Sequence, residues 1–87
     1  MARYELRFKR SVAKDLRKIP NDDIKRILQR IDRLADDPRG PGCVKLAAGE
    51  RYRVRLGVYR IIYEIEDDRF IIQLVKVGHR STVYRIR

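Results

Sequence analysis

The 87-residue chain has one cysteine, one histidine and no tryptophan, and it lacks any long uninterrupted apolar segment. Its single cysteine, Cys43, cannot form an internal disulfide, which excludes a fold built on disulfides. The lack of a long apolar run argues against a membrane-spanning helix and against contact with a membrane. We therefore expect a cytoplasmic protein.

Metal ligands are equally sparse. His79 is the sole histidine, and the acidic residues do not recur around it at any spacing typical of a metal site. Cys43 has no second cysteine and no nearby histidine to complete a thiolate site. We therefore expect neither a metal nor another cofactor.

Acidic residues are scarce beside basic ones. There are 22 Lys and Arg against 12 Asp and Glu, which gives a formal net charge of +10. Residues 1–43 carry 12 basic and 7 acidic groups and residues 44–87 carry 10 and 5, so the excess belongs to the folded surface and not to a tail. Such a surface attracts polyanions, with nucleic acid as the first candidate and an acidic protein as the second. A mixed-charge surface that serves solubility is the alternative.

The first half of the chain predicts a strand and two helices. Alternation over Tyr4–Phe8 indicates a short strand. Apolar residues then recur at helical spacing from about Lys9 to Ile19, and Pro20 ends this helix. A second helix follows with Asn21 as its N-cap and ends before Pro38.

The second half changes to a period of two. A Pro- and Gly-rich loop, Pro38–Gly42, precedes four predicted strands: Val44–Ala47, Arg51–Leu56, Tyr59–Glu66 and Arg69–Val77. The order predicts one α+β domain over residues 1–87. In it, a two-helix hairpin packs on one face of an antiparallel sheet of four to five strands.

The strand with sequence RYRVRL separates two kinds of residue. Period two places three apolar side chains on one face and Arg51, Arg53 and Arg55 on the other. Arg60 follows the next turn and is expected near this row. A row of like charges is repulsive unless an anion neutralises it, which favours a phosphate-binding face. The alternative is that Glu64 and Glu66 pair with these arginines across the strands, which accounts for two charges at most.

The C-terminal stretch KVGHRSTVYRIR brings together His79, Arg80 and Tyr84 at the end of the last predicted strand. We expect these three residues to lie beside the arginine row. Taken singly, each has a plainer interpretation, as a surface histidine, a solvated arginine or an aromatic at the edge of the core. Their convergence favours a functional site.

The segments YELRFKRSVAKDLRKIP, RYRVRLGVYRIIYEIEDD and VGHRSTVY resemble the RelE/ParE superfamily of toxins from type II toxin–antitoxin modules. The resemblance covers nearly the whole chain in the same order. It implies a fold like that of microbial ribonucleases. RelE-like members cleave mRNA in the ribosomal A site, whereas ParE-like members poison DNA gyrase and lack the ribonuclease residues.

The RelE-like site residues can be carried over to this sequence. The resemblance implies functional roles for Arg53, Arg55, Arg60, Arg80 and Tyr84. We expect the catalytic residues to be Arg60, Arg80, Tyr84 and, as a second proton carrier, His79. We expect the RNA-binding residues to be Arg51, Arg53, Arg55 and Lys45. RelE-like toxins often have lysine where this chain has Arg53 and Arg55, and some have lysine in place of His79. The interval from Arg80 to Tyr84 is also shorter than in the best-known members.

The expected function is therefore a toxin that cleaves mRNA on the 30S A site without a metal, through attack by the 2′-OH. Its expected partners are mRNA, the ribosome and a cognate antitoxin, with operator DNA bound only through that antitoxin. The alternatives are a ParE-like gyrase inhibitor, an inactive relative that only binds its antitoxin, and a nucleic-acid-binding module without catalysis.

Overall fold

The computed structural model describes residues 3–47 and 49–79. Two helices lie against one face of a five-stranded sheet, which confirms the predicted α+β class. The elements are β1 (Glu5–Phe8), α1 (Arg10–Leu16), α2 (Asn21–Asp36), β2 (Val44–Lys45), β3 (Arg51–Leu56), β4 (Tyr59–Glu66) and β5 (Ile71–His79). Within these residues neither helix combines the length and apolar character that a membrane crossing requires.

The sheet is mixed and not wholly antiparallel as expected. Its strand order is β1-β5-β4-β3-β2, and β1 runs parallel to β5 while the other neighbours are antiparallel. The cause is the connection that follows β1, because the two helices carry the chain across one face of the sheet before the antiparallel strands β2 to β5 begin. The first and last strands therefore become neighbours.

Several predicted boundaries were wrong by a few residues. The first helix ends at Leu16 and continues only as a turn, and Asn21 is the first helical residue of α2, with Pro20 as its N-cap. The edge strand β2 has two residues in place of four. Arg69 belongs to the turn before β5, where Phe70 takes a φ of 53°, a conformation that no β-strand residue adopts.

The core lies between the helices and one face of the sheet. In α2, Ile27, Ile31 and Leu34 are fully buried at the spacing of one helix face. The other members of this cluster are Val12, Val54, Ile61, Tyr63, Ile72, Leu74 and Val77. We call the sheet face that carries these residues the helix side, and the opposite face the outer face.

A β-bulge in β5 resets which side chains reach the core. Ile62 is opposite Lys76 and Tyr63 is opposite Leu74, so Val75 is the extra residue. Leu74 and Val77 therefore both lie on the helix side although they are three residues apart. Beyond the bulge, a strict alternation counted from Ile72 would assign every side chain to the wrong face.

Helix α1 completes the edge of β5 where β1 ends. The last paired residue of β1, Phe8, is opposite Leu74, and beyond it the edge would be left without hydrogen-bond partners. The Ser11 hydroxyl donates to the Val75 carbonyl (2.9 Å), and the Val77 amide donates to the Asp15 carboxylate (3.1 Å). Lys76 Nζ lies 2.6 Å from the other Asp15 oxygen. Two polar side chains one helical turn apart thus extend the sheet.

We expect Asp15→Ala to lower the free energy of unfolding by about 1–3 kcal/mol, because it leaves a largely buried ammonium and a backbone N–H without their acceptor. The midpoint of urea denaturation measures this loss. Asp32→Ala is the matched control, since its ion pair with Arg3 is solvent-exposed and contributes little. Equal destabilisation by the two substitutions would contradict the role given to Asp15.

A network of hydrogen bonds connects the loop after α2 to β4 and to the turn between β4 and β5. The buried Tyr63 hydroxyl donates to the Pro38 carbonyl (2.7 Å). Arg39 donates to both oxygens of Asp67 (2.9 and 2.7 Å), and the Tyr4 hydroxyl donates to the same carboxylate (2.7 Å). Arg39 and Tyr4 together lower the pKa of Asp67 to about 2. The network joins β1, the loop and the β4–β5 turn.

The Asp67 contribution to stability should disappear in acid. Its carboxyl has a pKa near 3.9 when the chain is unfolded, so the stabilisation is complete above about pH 4 and is lost as the pH falls toward 2. We expect Asp67→Asn to be less stable than the parent at pH 7, with the difference shrinking between pH 4 and pH 2. Thermal unfolding across this range measures it, with Asp68→Asn as control. A difference independent of pH would overturn the assignment.

Candidate nucleic-acid interface

Four arginines lie on the outer face at the β3–β4 hairpin. Cross-strand pairing puts Arg51 opposite Glu64, Arg53 opposite Ile62 and Arg55 opposite Arg60. We call these arginines, Arg51, Arg53, Arg55 and Arg60, the arginine cluster. The placement of Arg60 beside the three arginines of β3 is confirmed.

Arg60 is the most constrained member of the cluster. It lies on the central strand with Arg55 opposite it on β3 and Gly78 opposite it on β5. Only 6% of its surface is exposed, whereas Arg55 is exposed. Directly opposed like charges destabilise a sheet, so this pair favours an anion between or above the two guanidinium groups.

A buried apolar side chain lies beside the arginine cluster on the outer face. Ile62 follows Arg60 by two residues on the outer face, lies opposite Arg53 and is 8% exposed. Charges over a buried apolar group experience a lower effective dielectric constant than charges in water. An anion that reaches these guanidinium groups is therefore bound more strongly than by arginines on extended surface side chains.

The glutamates of β4 neutralise only part of the cluster. Glu64 accepts from Arg51 Nε at 3.2 Å, whereas Glu66 pairs with Arg69 in the following turn at 3.3 Å. Cross-strand neutralisation is thus observed between Glu64 and Arg51, while Glu66 pairs with an arginine outside the row. The two directly opposed arginines of the cluster, Arg55 and Arg60, lie at the Gly57 end of the hairpin.

Two predicted site residues lie on the other face. Lys45 is opposite Tyr52 and His79 is opposite Tyr59, and both tyrosines pack against the core on the helix side. The expectation that His79 stands beside the arginine row was wrong, because the bulge at Val75 changes the phase of β5. Lys45 lies on the helix side because residues that are directly opposite each other in a sheet share a face, and in the two-residue strand β2 it is Val44, not Lys45, that is opposite Arg53.

His79 borders a groove of about 310 Å³ between α1 and the ends of β4 and β5. Its ring meets the Tyr59 ring edge-on, with the centroids 6.5 Å apart. The Tyr59 hydroxyl donates to Asp23 at 2.8 Å, and this hydrogen bond raises the pKa of Tyr59. Tyr59 is therefore held as a neutral donor at physiological pH and is not available as a base.

Arg80 and Tyr84, the other two predicted catalytic residues, lie outside the described residues. Within residues 3–47 and 49–79, no three side chains of His, Cys, Asp or Glu come close enough to hold a metal ion. The feature that sequence reasoning missed is the burial of Arg60. The apolar stretch around it, with Ile61 and Ile62 directly following, was the available signal, because it marks β4 as the central strand.

The fold matches solved toxin–antitoxin complexes over nearly its full length. A chain of the RelBE2 complex from Mycobacterium tuberculosis superposes with a TM-score of 0.81 and 24% identity, over 91% of this chain and 100% of that chain. A chain of the archaeal RelE–RelB complex from Pyrococcus horikoshii gives a TM-score of 0.78 and 29% identity, over 91% and 97%.

The sequence comparisons agree with the fold. Toxin RelG of Mycobacterium tuberculosis is 26% identical over 84 residues, which cover 94% of this chain and 97% of that protein. The family model of the ParE toxin of the type II toxin–antitoxin system parDE matches residues 6–84. The chain thus belongs to the ParE toxin family, within the RelE/ParE superfamily of type II toxins.

Proposed function

We propose that this toxin is an endoribonuclease that cleaves mRNA in the ribosomal A site without a metal ion. The observation that carries the proposal is the pair of directly opposed arginines, Arg55 and Arg60, one of them nearly buried on the central strand. The nearly buried guanidinium is suited to a dianionic phosphorane and the one opposite it to a flanking phosphate, since Arg matches phosphate oxygens in a bidentate manner.

In this mechanism the RNA supplies its own nucleophile. The 2′-OH gives up its proton and attacks the adjacent phosphorus, the bond to the 5′ oxygen of the next nucleotide breaks and that oxygen takes up a proton, so the products are a 2′,3′-cyclic phosphate and a 5′-OH. Arg60 stabilises the charge that develops on the non-bridging oxygens, and its burial holds it in place before the substrate arrives. Arg53 and Arg55 bind flanking phosphates and cannot act as bases, because a guanidinium stays protonated.

The family resemblance adds Arg80 and Tyr84 to this site. In our proposal Arg80 grips the scissile phosphate together with Arg60, and Tyr84 either acts as general base or provides a ring on which a nucleobase stacks. A cationic neighbourhood lowers a tyrosine pKa and so favours the first of these roles. We give His79 no proton transfer, because its register places it on the helix side, away from Arg60.

We also propose a cytoplasmic toxin held inactive by a cognate antitoxin. The solved relatives from Mycobacterium tuberculosis and Pyrococcus horikoshii are toxin–antitoxin complexes, which supports such a partner. Operator DNA would be bound only through the antitoxin. The ribosome would orient the mRNA, because a site composed of cations has few groups that select one RNA conformation.

Inhibition of DNA gyrase is the second candidate, favoured by the match to the ParE family model. In that case the arginine cluster would serve protein or DNA contact and not catalysis. Supercoiling of plasmid DNA by purified gyrase, assayed with added toxin, separates the two functions. Inhibition of supercoiling together with intact mRNA would replace the ribonuclease proposal.

Arg60→Gln should lower the cleavage rate at least about a hundredfold, because it removes one preorganised charged donor while keeping a side chain of similar length. Primer extension on a defined mRNA in a purified translation system maps and quantifies the cuts. Arg69→Gln is the control, an exposed arginine in the β4–β5 turn. Unchanged cleavage by a folded Arg60→Gln protein would refute the proposed role.

His79→Ala should retain cleavage within about threefold of the parent, because the ring lies on the helix side. The same primer-extension assay measures this, and circular dichroism checks that the variant is folded. A loss comparable to that of Arg60→Gln would mean that His79 reaches the reacting phosphate, and the separation by face would then be wrong.

A further inference from the structure

Helix α1 carries a second concentration of positive charge, apart from the arginine cluster. Between Arg7 and Pro20 there are five further basic residues and a single acidic one, Asp15. That carboxylate is already bound by Lys76 and by the Val77 amide on the inner side of the helix. The exposed side of α1, which faces away from the sheet, therefore has no acidic residue of its own.

Three cations share this exposed side. Val12 and Leu16 point toward the core and Ser11 and Asp15 contact β5, so the opposite side carries Arg10 and Lys14, and Arg17 follows them as the C-cap of the helix. All three are exposed, and within the described residues no ion pair involves any of them. We call Arg10, Lys14 and Arg17 the α1 stripe.

The neighbouring helix shows that this distribution is local. Helix α2 has four basic residues and four acidic ones, and its residues Arg26 and Asp23 form an intrahelical ion pair. The net charge of α2 is therefore zero, while the segment of α1 is strongly positive. A general excess of lysine and arginine for solubility would be spread over both exposed helices.

From this we infer that the α1 stripe binds the phosphate backbone of structured RNA, at a surface separate from the one that cleaves. The stripe spans about 10 Å at 1.5 Å per residue, and its three charges can neutralise up to three neighbouring phosphates of one strand. The inference rests on the proposed function in taking RNA as the polyanion.

The surface chemistry favours RNA over an acidic protein. The exposed large apolar residues of the described chain are Phe8, Leu28, Val44, Val58 and Phe70, and none of them lies in α1. Stable protein interfaces depend on a few buried apolar or aromatic anchors. Backbone contacts to nucleic acid need only charge and hydrogen-bond donors, which is what the stripe presents.

The test is direct binding of a blunt RNA duplex that offers no mRNA to cleave. We expect Arg10→Gln/Lys14→Gln/Arg17→Gln to weaken duplex binding about tenfold or more at 0.1 M salt, and to lower the log–log salt slope by about 2 to 3. Glutamine preserves helix propensity, and circular dichroism confirms that the variant is folded. Lys25→Gln/Arg26→Gln/Arg33→Gln on α2 removes the same charge and should weaken binding no more than about twofold.

The outcomes separate this inference from the proposed function. Duplex binding and mRNA cleavage are measured separately, so a parent protein that binds the duplex through the stripe but does not cleave mRNA leaves the inference in place, and a failure of the stripe leaves cleavage by the parent intact. Equal losses in the α1 and α2 variants would overturn the inference in favour of net charge alone. Equal competition by polyglutamate at matched salt would overturn it in favour of an acidic protein partner.

Discussion

The structure depends on how the two edges of β5 are hydrogen-bonded. On one side β4 pairs with it along its whole length, but on the other side β1 reaches only as far as Leu74. Helix α1 then supplies Ser11 and Asp15 as substitutes for a strand. Because unpaired buried backbone groups cost as much as a lost hydrogen bond, this arrangement fixes the position of α1 against the sheet. The same strand carries the bulge that places Gly78 beside Arg60.

Much of the fold could be predicted from periodicity. The alternation in RYRVRL separates core residues from the arginine cluster because the side-chain period of a strand is strictly two. The register of β5 could not be predicted this way. A bulge inserts one residue and so shifts the alternation of side chains, and no feature of the sequence identifies Val75 as the inserted residue. His79 was misplaced for this reason. The pairing of β1 with β5 is set by tertiary packing and by no local signal.

The placement of charge divides the molecule into three electrostatic regions. The outer face at the hairpin and the exposed side of α1 are positive, while α2 is balanced. The arginine cluster lies beside the buried Ile62 and includes the nearly buried Arg60, whereas the cations of the α1 stripe are exposed to solvent. The first arrangement suits a single precise anion, and the second suits a long polyanion in variable register. Under the two proposals made above, the α1 stripe would hold a large RNA weakly and the arginine cluster would hold one phosphate tightly.

The pairing of β1 with β5 also bears on synthesis of the chain. Glu5 is opposite Ile71, so the contact between the first and last strands in the chain must wait until β5 has been made. Such non-local contacts slow folding, because the entropy of closing a long loop is lost before the contact forms. Arg60 on β4 acquires its neighbour Gly78 only when β5 joins the sheet. A growing chain that has made the β3–β4 hairpin but not β5 therefore lacks one flank of Arg60, and the burial that orients this guanidinium is completed by the last strand of the sheet to be made.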